Sequence, residues 1–147
     1  MRDDGGRGAG MIGIVIVAHG GLAREYLSIM EHVLGRPQTG IVPVSIQPEC
    51  DRHAKTREIC AAADAVDEGQ GVVVVVDMYG GSPSNLSMPA CAARQRKILY
   101  GANLPMLIKL AQSRGKPFDA AVACALRAGR KYIDVIDGHA VQAVPAA

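Results

Sequence analysis

The chain has 147 residues, 49% of them hydrophobic and 20% charged, with a formal net charge of +2 at pH 7; that length suits one buried core and is short for two domains. The charge is spread without a basic stripe, which argues against a nucleic-acid partner. The longest apolar run, from Met11 to Ala18, falls well short of the roughly 20 residues that a spanning helix needs.

Residues 1–10 are rich in glycine and charge and read as a disordered extension, with Met11 as an alternative start. Residues 11–17 carry isoleucine and valine on both parities, which predicts a strand buried on both faces. The run ends in Ala18-His19-Gly20-Gly21. Leu22, Tyr26, Ile29, Met30 and Val33 then recur at spacings of three and four, which predicts a helix over 21–34, closed by Gly35 and Pro37. Residues 40–46 predict a second strand. Pro43 has no N–H for a ladder, so this strand belongs at a sheet edge.

Asp51 caps a second helix over about 51–66. The unbroken valine run 72–76 fits only a central, doubly covered strand, and it ends in Asp77-Met-Tyr-Gly-Gly-Ser-Pro-Ser-Asn85. Ser82 as cap and Pro83 as first residue open a third helix. Residues 97–100 predict a short fourth strand, and Asn103 caps a helix from about Pro105 to Arg114. A last helix runs from about Phe118 to Ala128 and stops at Gly129; Tyr132–Ile136 predicts a short edge strand, and 137–147 a flexible tail. Repeated strand–helix units with crossover helices imply an α/β domain over 11–136. Its core is a doubly wound, mostly parallel sheet of four strands with helices on both faces.

In such sheets ligands bind beyond the carboxyl ends of the strands. Here two central strands deliver His19 and Asp77 to that edge. Each alone has a plain structural role, a turn histidine or an Asx-turn residue; together they have chemistry. Histidine titrates near 6.5, so at neutral pH most of the imidazole is unprotonated. A carboxylate that accepts a hydrogen bond from one ring nitrogen leaves the other as a free nucleophile. Gly80, Gly81 and Ser82 form a tight turn at a helix start, whose backbone N–H groups suit a phosphoryl group. Tyr79 is expected at the rim. His32 and His53 fall on helical surfaces and His139 in the tail, all with solvated roles.

Cys50, Cys60, Cys91 and Cys124 contain no C-x-x-C pair, and the spacing of Cys50, His53 and Cys60 matches no structural zinc pattern. Reduced thiols, no metal, no cofactor and a cytoplasmic location are expected.

Ile14-Val-Ile-Val-Ala-His-Gly20, Val76-Asp-Met-Tyr-Gly-Gly-Ser-Pro-Ser-Asn85 and Gly101-Ala-Asn-Leu-Pro-Met-Leu107 stand in this order, followed by Ala128-Gly129-Arg130. On these motifs the chain, over roughly 11–133, resembles the enzyme IIA domain of the mannose-type bacterial phosphotransferase system. The resemblance implies a protein-histidine phosphotransferase. His19 accepts a phosphoryl group from the phosphohistidine of the phosphocarrier protein HPr and passes it to a IIB protein during sugar uptake. Asp77 is the hydrogen-bonded partner of His19, and Ser82 with Gly80 and Gly81 holds the phosphoryl group. The family fold is usually a homodimer that exchanges a terminal strand, here near Tyr132–Ile136, and it meets the membrane only indirectly, through a permease.

Two departures stand out. Met78-Tyr79 occupies a place where family members often carry Thr-Trp, and no IIB domain follows in this sequence, so the acceptor is expected to be a separate protein. Two other readings stand beside transport: a regulatory module whose phosphorylation state controls a partner through surface charge, and a small-ligand-binding module in which His19 is a mere contact.

Overall fold

The computed structural model describes residues 10–92 and 95–140. Residues 1–9 of the expected extension at 1–10 and residues 141–147 of the expected tail at 137–147 lie outside the described residues. Four strands, β1 (Gly13–His19), β2 (Ile41–Ile46), β3 (Val72–Val76) and β4 (Arg96–Tyr100), form one all-parallel sheet in the order β2-β1-β3-β4. The helices are α1 (Leu22–Leu34), α2 (Arg52–Ala65), α3 (Ser82–Ser87), α4 (Leu104–Gln112) and α5 (Phe118–Lys131).

The alternation along β1 divides the core in two. Ile12, Ile14, Ile16 and Ala18 face α1, α4 and α5, through Met30, Leu107, Leu110 and Ala121. Val15 and Val17 turn the other way with Val72, Val74 and Val76, against Ile59 and Ala63 of α2 and Leu86 of α3. All five valines of β3 are fully buried, each contributing on the order of 2 kcal/mol of hydrophobic stabilisation. This explains why β1 and β3 read as continuous apolar runs: both of their faces are covered. Pro43 sits on the edge strand β2, as its missing N–H requires.

The chain leaves β1 towards β2 on one side of the sheet and leaves β3 towards β4 on the other. The carboxyl ends of β1 and β3 therefore flank the topological switch point, where a crevice opens.

Local details differ from the sequence-based expectations. His19 is the last residue of β1, in register with Ile46, and not a residue beyond it. Helix α3 begins at Ser82 with Gly81 in the cap position and makes no side-chain cap bond, so Ser82 is not the cap. Helix α5 runs through Gly129 to Lys131. Gly129 is a packing contact and not a stop: a Cβ there would lie 3.0 and 3.1 Å from Met106 of α4, and the Gly129 carbonyl accepts a hydrogen bond from Asn103 Nδ2 at 2.9 Å. Tyr132–Ile136 forms no strand within this chain. Tyr132, Ile133, Val135 and Ile136 are instead 67–81% exposed. A strand needs a partner ladder, and nothing in the described part of the chain supplies one to this segment.

Candidate functional site

His19 and Asp77 meet at the switch point because β1 and β3 are adjacent and in register. His19 Nδ1 lies 2.8 Å from Asp77 Oδ2, and the same oxygen accepts the His19 backbone N–H at 3.0 Å. Oδ1 accepts the Met78 N–H at 2.9 Å. A carboxylate only accepts, so Nδ1 is the donor and carries the ring proton. Nε2 is then the free nitrogen, on a side chain that is half exposed, while Asp77 is 12% exposed. Held by three hydrogen bonds, the carboxylate fixes both the tautomer and the tilt of the ring.

The glycine turn packs on the edge of that ring. Gly80 takes φ +78°, a left-handed conformation that costs other residues roughly 1 kcal/mol or more, and this folds the chain back from β3 into α3. A Cβ at Gly81 would lie 3.4 Å from His19 Cε1, so the turn backbone stands beside the imidazole. His19 and Ser82 line a cavity of about 560 Å³ together with Ile46, Gln47, Pro48, Cys50 and Arg52. Gly80 faces instead into a neighbouring groove with Tyr79, Met88 and Tyr100. The structure thus brings His19, Asp77, Gly81 and Ser82 together and sets Gly80 apart.

Tyr79, expected at the rim of the site, lines that neighbouring groove instead, 72% exposed, with its ring 4.7 Å from that of Tyr100. His32 and His53 lie on the exposed faces of α1 and α2, and His139 is exposed beyond α5.

Two contributions escaped the motif-based reading. Tyr26 of α1 donates its hydroxyl to the Ala102 carbonyl at 3.2 Å. Burial, and then the negative charge of Asp77, raise its pKa above the ordinary tyrosine value. The loop after β2 supplies part of the cavity lining, because the Gly20 N–H bonds the Ile46 carbonyl at 3.0 Å and ties the two strand ends together. The signal for that lining was available: every strand of a parallel sheet ends at the same edge, β2 included. All four cysteines are free thiols, half-buried, and burial pushes Cys91 up to about 11. Among the described residues no three His, Cys, Asp or Glu side chains are grouped to hold a metal ion, and no helix is long and apolar enough to cross a membrane.

The fold aligns with solved structures. The mannose/sorbose-specific IIA subunit of the phosphotransferase system from Enterococcus faecalis superimposes with a TM-score of 0.76 at 24% identity, covering 86% of this chain and 95% of that one. The phosphotransferase system component EIIA from Streptococcus agalactiae gives 0.71 at 26% identity, covering 85% and 97%. An all-parallel sheet with helices on both faces, matched to such structures over nearly their full length, defines a IIA-type domain of the phosphotransferase system. The chain belongs to the EIIA-man family, described as "PTS system fructose IIA component", whose model matches residues 13–125. It is also 30% identical over 139 residues to the mannose-specific EIIAB component of Escherichia coli K12, and spans only 43% of that protein's length.

Proposed function

We propose that this protein is a cytoplasmic phosphocarrier of the sugar phosphotransferase system. It takes a phosphoryl group onto His19 from the phosphohistidine of HPr and passes it to a IIB protein, and it reaches the membrane only through the permease that IIB serves. The observation that carries this reading is the 2.8 Å bond between His19 Nδ1 and Asp77, which leaves Nε2 as the free nitrogen of a ring that lines a cavity shared with Ser82. Family membership supports it. The IIB acceptor agrees with the naming of the E. coli relative as an EIIAB component.

In the transfer, the Nε2 lone pair forms the new N–P bond as the bond from phosphorus to the donor nitrogen breaks, its electron pair staying on the donor ring. No proton leaves His19; it stays on Nδ1, donated in a hydrogen bond to Asp77, whose charge balances the positive charge that grows on the ring. Asp77 is the orienting and charge-balancing partner. Ser82 offers its hydroxyl, and the turn at Gly81 its backbone, to the phosphoryl oxygens.

The test is incubation with phosphoenolpyruvate, enzyme I and HPr, followed by mass spectrometry. One phosphoryl group should appear on His19, labile to acid and stable to mild alkali, as a phosphoramidate is. His19→Ala should abolish it, while His32→Ala, His53→Ala and His139→Ala should label normally. Labelling of His19→Ala by HPr would overturn the assignment.

A further inference from the structure

The His19 cavity has a charged residue that the motifs do not contain. Arg52, the first residue of α2, lines it together with His19 and Ser82. No carboxylate lines this cavity. Asp77, the nearest anion to the ring, is spent on His19 and Met78, with Oδ2 taking two donors and Oδ1 one. Asp51, next to Arg52 in sequence, is committed as the cap of α2, accepting the Ala54 N–H at 3.1 Å. Arg52 itself makes no hydrogen bond or ion pair with any described residue. An arginine that makes no hydrogen bond or ion pair with the described residues thus lines the same cavity as His19.

Resting on the phosphocarrier reading, we propose that Arg52 is a phosphoryl-binding residue of this protein. It donates hydrogen bonds to the phosphoryl oxygens as the group passes between the donor nitrogen and His19 Nε2. A transferring phosphoryl group spreads its charge over three equatorial oxygens, and catalysis of such transfers is mostly positioning and charge stabilisation. The glycine turn and Ser82 offer only neutral donors. Arg52 supplies the permanent positive charge, in a planar fork that grips two oxygens at once. Ser82, opening α3, and Arg52, opening α2, line the same cavity as the ring.

The experiment compares wild type with Arg52→Ala, Arg52→Lys and Arg57→Ala, the last removing the same charge from the same helix outside the cavity. Two quantities are read: the initial rate of phosphorylation by phospho-HPr, and the pH titration of the phosphoryl group on His19 by ³¹P NMR. Losing one buried donor to a developing charge costs about 10²- to 10³-fold; Arg52 is exposed, so Arg52→Ala should slow transfer by about tenfold. A nearby cation favours the phosphoryl dianion, so Arg52→Ala should also titrate at higher pH than wild type. Arg52→Lys should recover part of both effects, and Arg57→Ala should match wild type. The titration decides: if it does not move in Arg52→Ala, or moves equally in Arg57→Ala, the proposal fails. A wild-type protein that takes no label on His19 fails at the phosphocarrier reading itself and takes this proposal with it. A wild type that labels while the Arg52→Ala titration stays put loses only this one.

Discussion

Asp77 carries the weight at the level of single residues, because one of its oxygens serves two tasks. Oδ2 accepts from the backbone N–H of His19 and from its ring, so it positions the strand end and the imidazole together. Asp77→Asn preserves the shape but removes the charge, and its amide can turn a donor towards Nδ1. That would favour the wrong tautomer, with Nε2 protonated. Phosphoryl transfer to this variant should slow by roughly 10²-fold or more, the cost of losing one electrostatic partner. Thermal unfolding should change by only about 1 kcal/mol, the usual size of a single substitution. Initial rates of labelling by phospho-HPr check the first figure, and a variant as fast as wild type would reduce Asp77 to a turn residue.

Between elements, the most consequential contact is far from the cavity. Arg114, just past α4, is 3% exposed, and its guanidinium meets three carbonyls in place of a carboxylate. It donates to Ile12 at 2.7 Å, Thr39 at 2.6 Å and Gly40 at 3.2 Å. Its own carbonyl accepts the Ile12 N–H at 3.2 Å. Burial pulls its pKa below the ordinary arginine value, with the charge of Glu68 opposing. These bonds tie the starts of β1 and β2 to the end of α4, and they satisfy the Ile12 and Thr39 carbonyls at the sheet's lower edge and add a second donor to the Gly40 carbonyl, which already accepts the Ile14 N–H at 3.1 Å. Arg114→Met keeps much of the apolar stem and strands those carbonyls, so it should destabilise the fold by about 3 kcal/mol. Urea unfolding would show the midpoint fall with an unchanged slope, while the initial rate of His19 labelling stays at wild type in the folded fraction.

At the scale of the whole molecule, the exposed run of Tyr132, Ile133, Val135 and Ile136 is the conspicuous feature. Four large apolar side chains in water beyond α5 are costly unless a second copy covers them. The protein is expected to be a homodimer that exchanges this segment, and light scattering at micromolar concentration should return the dimer mass. Truncation after Lys131 should yield the monomer mass. A monomeric full-length chain would remove the exchanged-strand arrangement. Stability should also depend on pH in the alkaline range. Cys91 titrates at about 11 in the fold, against an ordinary value of 9.0, so the folded state holds this proton more tightly than the unfolded one. Its contribution is whole below pH 9 and is lost as pH rises towards 11. Thermal melts across that window should show the decline, and Cys91→Ala should flatten it.

Local pattern alone determined the alternation of strands and helices. Valine and isoleucine on both parities of β1 and β3 can only be buried on two faces, and Pro43 can only sit at an edge. The same pattern placed His19 and Asp77 at strand ends, because parallel strands all point their carboxyl ends one way. Contacts distant in sequence decided the rest. Gly129 looked like a helix stop, and only the approach of Met106 shows why glycine stands inside α5. Ser82 looked like a helix cap, but the turn geometry gives that position to Gly81 and turns Ser82 into the cavity beside His19. Arg52 carried no local signal at all, since a charged residue opening a helix is ordinary. Its place in the site comes from the register that sets Ile46 beside His19 and brings the next loop to the same edge. Residue type and spacing reveal what must be buried and what is reactive; which groups meet across the sheet edge depends on strand order and register, which no local run of residues encodes.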